Sequence, residues 1–390
     1  MLQRKPPAGV VRTLARWRRR PPSEDRLAIA SGAARILIIK LHDQLGDFVL
    51  VTPAIQALRE RFPNARLALL TRAYMAPLAG RVKGVDVVWD LPRIRSVASL
   101  ARFMGTALQV MRFRPDVVFV MNTVSRSKSA DAYAWLSGAR LIVGRSLVFA
   151  GEVPSDAPED PGARALEGPP SDLLYDLDID VGRGSRAQIE RLMDLVRWVA
   201  PDARTPRVHL ELSTADRESG RKHLDEALQG APATPDSKVV GLHPGATNPL
   251  KVWPLESFVE LGAQLASPDH GEPRLVVFDS PRERGRAAAL VAGLAARGVI
   301  AGLVPARGIE DYTAICTGLD LLVCNDSGAM HIAAAVGVPT VSFHSLGDPR
   351  EWAPQHDRAV AFHAPRDITT IPVSAAVEAV RALRSLSPER

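Results

Sequence analysis

Short, uninterrupted apolar runs, each followed by a polar loop and a stretch of helical spacing, recur along almost the whole chain and constrain its fold more than any other feature. A strand that is apolar at every position has no wet face, so it belongs in a parallel sheet covered by helices on both sides. The first run follows Arg35 and reads Ile36-Leu-Ile-Ile-Lys-Leu41. Thr52 and Pro53 then stand where a helix starts, and Ile55, Leu58, Arg59 and Phe62 keep helical spacing up to Pro63. Further strands are expected at Arg66 to Leu70, Asp86 to Leu91, Asp116 to Met121 and Arg140 to Val143, with helices over Val97 to Arg112 and Arg186 to Ala200. A second train begins at Lys238 with Val239 to His243 and continues at Leu275 to Phe278, Val299 to Val304, Leu319 to Cys324 and Thr340 to Phe343. This alternation implies an α/β protein of two doubly wound, Rossmann-like domains. The expected divisions are a basic tail over 1–34, a first domain over 35–204, a second over 205–375 and a C-terminal helix or tail over 376–390. Pro201 to Pro206 is the linker, and the Pro-, Asp- and Gly-rich run 150–172 is expected to be a surface loop.

In open parallel sheets, ligands bind beyond the carboxyl ends of the strands. Three loops qualify here: His42 to Asp47, His243 to Trp253, and Asn325 to His331. The last follows the strand Leu321-Leu-Val and opens an apolar helix, Ala329 to Val336, that stops at Gly337. Free backbone N–H groups and the positive end of the helix dipole would converge there, making a seat for phosphate. Asp326 and His331 flank that point. The residues alone leave a second reading open, in which Asp326 or Ser327 caps the helix and His331 is an ordinary core or surface histidine. The loop after the second domain's first strand offers Gly245 for close backbone approach, a hydroxyl on Thr247 and a charge on Lys251; equally, Lys251 is a plain surface lysine and Trp253-Pro254 a core anchor. No loop matches the dinucleotide fingerprint or a Walker A loop.

With 390 residues, 46% of them hydrophobic, the chain has enough apolar surface for two cores. No apolar run approaches the roughly 18 residues of a membrane span and no apolar signal core stands at the start, so a cytoplasmic location is expected. Cys316 and Cys324 lie in an apparent helix and an apparent strand, which points to neither a disulfide framework nor a zinc site. Residues 1 to 26 hold eight basic residues against two acidic ones and so carry the whole formal excess of +6. Such a tail either lies on an anionic membrane surface, where the protein would be peripheral, or is a solvated leader. Nucleic acid is not an expected partner, because no basic stripe with interleaved aromatics appears elsewhere.

Taken in order, Leu45-Gly-Asp-Phe-Val-Leu-Val-Thr-Pro-Ala54, His243-Pro-Gly-Ala with Lys251-Val-Trp-Pro254, Asn325-Asp-Ser-Gly-Ala-Met-His331, and Asp348-Pro-Arg350 with Trp352 and Pro354 resemble the motifs of glycosyltransferase family 9, the ADP-heptose:lipopolysaccharide heptosyltransferases. The resemblance runs from about Arg35 to Pro354. It implies a GT-B fold, an acceptor-side first domain, a nucleotide-sugar-binding second domain, and sugar transfer with inversion to a hydroxyl of a lipopolysaccharide-core or related glycan. Asp47 falls on the family's general base. Thr247, Lys251, Asp326, Ser327, Gly328 and His331 fall on donor diphosphate contacts, and Glu283 on a glutamate near the ribose. Gly46, Gly245, His42 and Asp43 are further cleft candidates. A helix N-terminus plus Lys251 can neutralise a leaving diphosphate, so neither a catalytic metal nor a cofactor is expected.

The chain departs from the family pattern at His42-Asp43-Gln44, at Asp279 and at His344-Ser345-Leu346-Gly347, all on loops expected to line the cleft. Two other classes stay open from the residues: a nucleotide-sugar epimerase on the same scaffold, and a non-catalytic nucleotide-sugar-binding protein.

Overall fold

The computed structural model of the chain describes residues 21–41, 44–124, 127–145, 175–179, 181, 185–229, 237–267, 273–280, 283 and 285–384. The expected loop 150–172, most of the basic tail, and His42 and Asp43 lie outside the described residues. Ser23–Ser31, counted within the tail, is instead a helix that buries Ala30.

By contact the chain divides into two units, one of residues 1–43 and 51–206, the other of Gln44–Leu50 with Arg207–Arg390. The first carries the parallel strands β1 (Arg35–Lys40), β2 (Arg66–Arg72), β3 (Val87–Leu91), β4 (Val117–Val120), β5 (Leu141–Gly144) and the short β6 (Leu177–Asp178), in the spatial order β3-β2-β1-β4-β5-β6. Leu37 and Ile39 of β1 and Val118 and Val120 of β4 share one core with Val110 and Phe113 of the helix Val97–Phe113 and Tyr133 of the helix Lys128–Leu136. Lys40, buried at the end of β1, donates from Nζ to the Met121 carbonyl at 2.9 Å, which satisfies one of its protons inside the fold.

The second unit repeats this plan with β7 (Val239–His243), β8 (Arg274–Phe278), β9 (Ala301–Val304), β10 (Leu321–Asn325), β11 (Thr340–His344) and β12 (Ala359–His363), in the order β12-β11-β10-β7-β8-β9. Both units start their first strand with the same device. The Asp116 carboxylate, just before β4, accepts from the Ala34 and Arg35 N–H groups at 3.0 and 2.9 Å. Asp320, just before β10, accepts from Val239 N at 2.8 Å. In each case a carboxylate satisfies a backbone donor that the parallel ladder leaves over at its edge.

The two doubly wound α/β units are those expected from the apolar runs; three local features differ. β6 and β12 were not expected: β6 is two residues long, and β12 is a half-exposed edge strand without a continuous buried run. His42 to Asp47 was read as a polar loop, yet Leu45–Val49 is a short helix that buries Asp47, Phe48 and Val49. The last helix begins at Val373, and Ala376, Val377, Val380 and Leu383 complete the second unit's core, so this end of the chain packs as part of the unit rather than as a tail.

Candidate active site

In the second unit the carboxyl ends of β7 and β10 meet, and Asn325, fully buried as the last residue of β10, ties their loops together. Its Oδ1 accepts from Trp253 N at 2.9 Å and its Nδ2 donates to the Pro244 carbonyl at 2.8 Å. Arg286 adds two further bonds, from Nε to the same Pro244 carbonyl at 2.9 Å and from Nη2 to the Trp253 carbonyl at 3.0 Å. The loop 244–253 is therefore held at both ends by side chains from two other elements, while Trp253 is sunk against Phe258 and Phe343. Inside the loop the Asn248 side chain accepts from Leu250 N at 3.0 Å and starts the turn Pro249–Lys251, which aims Lys251.

Lys251 Nζ donates to Asp326 Oδ2 at 2.7 Å, and that carboxylate is nine-tenths buried. Burial alone would raise its pKa, but the His344 and Lys251 charges outweigh it and Asp326 is held below the ordinary carboxylate range. His344 is itself pushed down to about 4 by burial and is uncharged near neutral pH, so Lys251 is the partner that keeps Asp326 ionised there. His344 Nε2 meets Ser342 Oγ at 2.9 Å, and its Nδ1 lies 3.9 Å from Asp326 Oδ2.

Asp326 and Ser327 lead directly into the helix Gly328–Ala335. Neither caps it. Asp326 is committed to Lys251, while Ser327, the residue at the cap position, makes no side-chain capping bond and keeps a buried hydroxyl with no partner. Without a side-chain acceptor, the helix start retains the donor character and positive potential that favour an anion.

The helix Leu45–Val49 packs against this helix start. Gly328 and Gly46 both mark close approach: a Cβ on Gly328 would come within 2.7 Å of Leu45 Cβ, and one on Gly46 within 2.5 Å of His331 Cδ2. Asp47 and His331 are each only 4% exposed, and the two interact electrostatically. Burial drives His331 down to about 4, against the pull of Asp326 and Asp47, so it is a neutral imidazole near pH 7.

Other candidates take different places. Glu283 Oε2 accepts from Ala246 N at 2.8 Å and lies against Gly245, where an added Cβ would meet it at 2.4 Å; burial raises its pKa. Thr247 is exposed on the same loop. His42 and Asp43 lie outside the described residues. Asp348 accepts from Arg350 N at 2.9 Å and starts the helix Pro349–Trp352. Cys316 and Cys324 are free and buried, and burial pushes the Cys316 thiol up to about 12, which leaves it unreactive. Among the described residues no group of three or more His, Cys, Asp and Glu side chains is arranged to hold a metal ion.

Sequence reasoning missed the structural parts of this site. Asn325 was read as the start of the turn after the strand, whereas it is the buried last residue of β10 and ties the neighbouring loop. His344 appeared only as a departure from a pattern. Arg286 gave no signal at all, because its partners are backbone carbonyls.

The profile of glycosyltransferase family 9 (heptosyltransferase) matches residues 164–371, more than half of the chain. Lipopolysaccharide heptosyltransferase 2 of Salmonella typhimurium is 22% identical over 81% of this chain and 84% of its own length. Among solved structures, a family 9 glycosyltransferase from Veillonella parvula superposes with a TM-score of 0.73 at 17% identity, covering 90% of this chain and 97% of that one. The Escherichia coli ADP-heptose lipopolysaccharide heptosyltransferase II gives 0.65 at 19% identity, covering 90% and 98%.

Proposed function

We propose, because this chain belongs to glycosyltransferase family 9, that it transfers a heptose from ADP-heptose to a hydroxyl of a lipopolysaccharide-core or related glycan, with inversion and without a metal ion. Family membership makes it a glycosyltransferase, the names of its lipopolysaccharide heptosyltransferase relatives support the heptose and the acceptor class, and the structure of the similar Escherichia coli ADP-heptose lipopolysaccharide heptosyltransferase II supports ADP-heptose as donor. The observation that carries the reading is one junction: an uncapped helix start with Lys251 beside it and Asp47 seated against His331 of the same helix.

The chemistry follows from charge. The donor diphosphate sits at the helix start, where amide dipoles and Lys251 balance the negative charge that builds as the bond between the anomeric carbon and the phosphate oxygen breaks. Lys251 shares its protons between Asp326 and the phosphate, and Asp326 fixes where the ammonium waits. The acceptor hydroxyl attacks the opposite face of the anomeric carbon and gives its proton to Asp47. Attack opposite the leaving group inverts the centre. His331, neutral near pH 7, adds hydrogen-bonding capacity beside Asp47 rather than a charge.

Steady-state kinetics on Asp47→Asn and Lys251→Ala test this. Loss of the base should lower kcat by about 10²- to 10⁴-fold while ADP still stabilises the protein against heat. Loss of the ammonium should mainly raise the donor KM. An Asp47→Asn enzyme with undiminished kcat ends the assignment. Conversion of the nucleotide sugar in the absence of any acceptor would favour an epimerase instead.

A further inference from the structure

The helix Val97–Phe113 is apolar on two faces. One face, formed by Thr106, Ala107, Val110 and Phe113, is buried on the first unit's sheet. It is fixed there by Thr106 Oγ1 donating to the Asp90 carbonyl at 3.0 Å, by Tyr133 OH donating to the Phe103 carbonyl at 3.1 Å, and by the edge contact of Phe113 with Trp89. The other face carries Val97, Leu100, Met104, Leu108 and Met111, which are 84, 44, 59, 46 and 48% exposed. At 100° per residue these five side chains fall within an arc of roughly 80°, a stripe about 20 Å long. Ile94, 53% exposed, extends it toward the preceding loop. Scattered apolar side chains on a surface are ordinary, but a continuous stripe on a helix anchored by its other side asks for a cover.

Charge identifies the cover. From Arg93 to Arg114 the chain has five arginines, at 93, 95, 102, 112 and 114, and no acidic residue. All five are exposed, and Arg102 is paired with Asp90 of β3 at 2.5 Å. A second copy of the chain seated face to face would set arginines against the same arginines, because a two-fold contact pairs a patch with itself. An anionic bilayer offers acyl chains for the stripe and phosphates for the guanidinium groups. Among the described residues no helix is long and apolar enough to cross a membrane, so this is a surface contact.

We propose that the helix Val97–Phe113 is a docking face for an anionic membrane, lying in the interface with Val97, Leu100, Met104, Leu108 and Met111 among the acyl chains and with Arg93, Arg95, Arg112 and Arg114 at the headgroup phosphates. It deepens the functional reading above, which places the acceptor on a glycolipid. Vesicle binding, however, requires neither donor nor acceptor, so failure here and failure of sugar transfer are separate results.

Flotation of the full chain with vesicles of phosphatidylcholine alone, or with phosphatidylglycerol mixed in, tests the proposal. The wild type should float with the anionic vesicles only, and Leu100→Glu/Met104→Glu/Leu108→Glu should lower that binding by about tenfold or more without changing the melting temperature, since all three side chains are exposed. Equal flotation of the triple variant would overturn the proposal and assign binding to another part of the chain. A wild type that stays off anionic vesicles would also overturn it; if it runs as a dimer that the triple variant converts to a monomer, the face joins two copies of the chain. Should the triple variant not fold, Met104→Cys carrying an environment-sensitive dye supplies a second reading, since Cys316 and Cys324 are buried and leave the new thiol selectively reactive. A blue shift on anionic vesicles is the expected result, and no shift overturns the proposal.

Discussion

At the residue scale the site is governed by two neutral histidines around one ionised carboxylate. His331 and His344 are both pushed to about 4, chiefly by burial, while an unfolded histidine titrates near 6.5. Between those values the unfolded chain binds the extra protons, so stability is intact above about pH 6.5 and is lost as pH falls through about 4. Each histidine accounts for on the order of 3 kcal/mol across that window. Urea unfolding measured from pH 7 to pH 4 should therefore show a steep loss, shallower in His344→Gln, which removes one titrating group. Matching pH dependence in the two proteins would mean that His344 is not held neutral. The sequence made Asp47, Lys251, Asp326 and His331 legible through motif order. It did not make His344 legible, because a histidine's meaning depends on burial and on a partner such as Asp326, and neither is written in its neighbours.

At the scale of elements, strands were read wherever burial on both faces forces an unbroken apolar run, as in β1, β7 and β10. Edge strand β12 and the helix Thr214–Ala227 escaped because each keeps much of its surface wet. That helix depends on one small residue: a Cβ on Gly220 would sit 2.1 Å from the Ala314 carbonyl oxygen of the helix Ile309–Cys316, and backbone cannot step aside as a side chain can. Gly220→Ala should destabilise the second unit by about 1–3 kcal/mol or more, seen as a lower denaturation midpoint. Asn325→Ala should cost about as much, since it strands the buried Trp253 N–H and frees the loop 244–253. Of these two variants, Asn325→Ala should also raise the donor KM, because its loop carries Lys251. Gly220→Ala should leave the KM of the folded fraction unchanged.

For the whole molecule, two sheets of the same strand order carry unequal chemistry: the proposed donor groups and the proposed base all fall in the second unit. Ligand linkage reports on that unit. ADP at 100 times its dissociation constant should stabilise the protein by about 2.7 kcal/mol, with UDP and GDP at equal concentration giving less; equal shifts would reject a preference for adenine. The two-unit plan was legible because the apolar trains repeat on either side of a proline-bounded linker. Assignment of Gln44–Leu50 to the second unit was not, since nothing local announces that a segment following β1 will pack on a helix far along the chain. That segment has a consequence for biosynthesis. A ribosome releases Asp47 long before it makes Gly328–Ala335, so the nascent protein carries the proposed proton acceptor without a seat for most of translation. The candidate site is completed late and all at once, and a product truncated before that helix never assembles it.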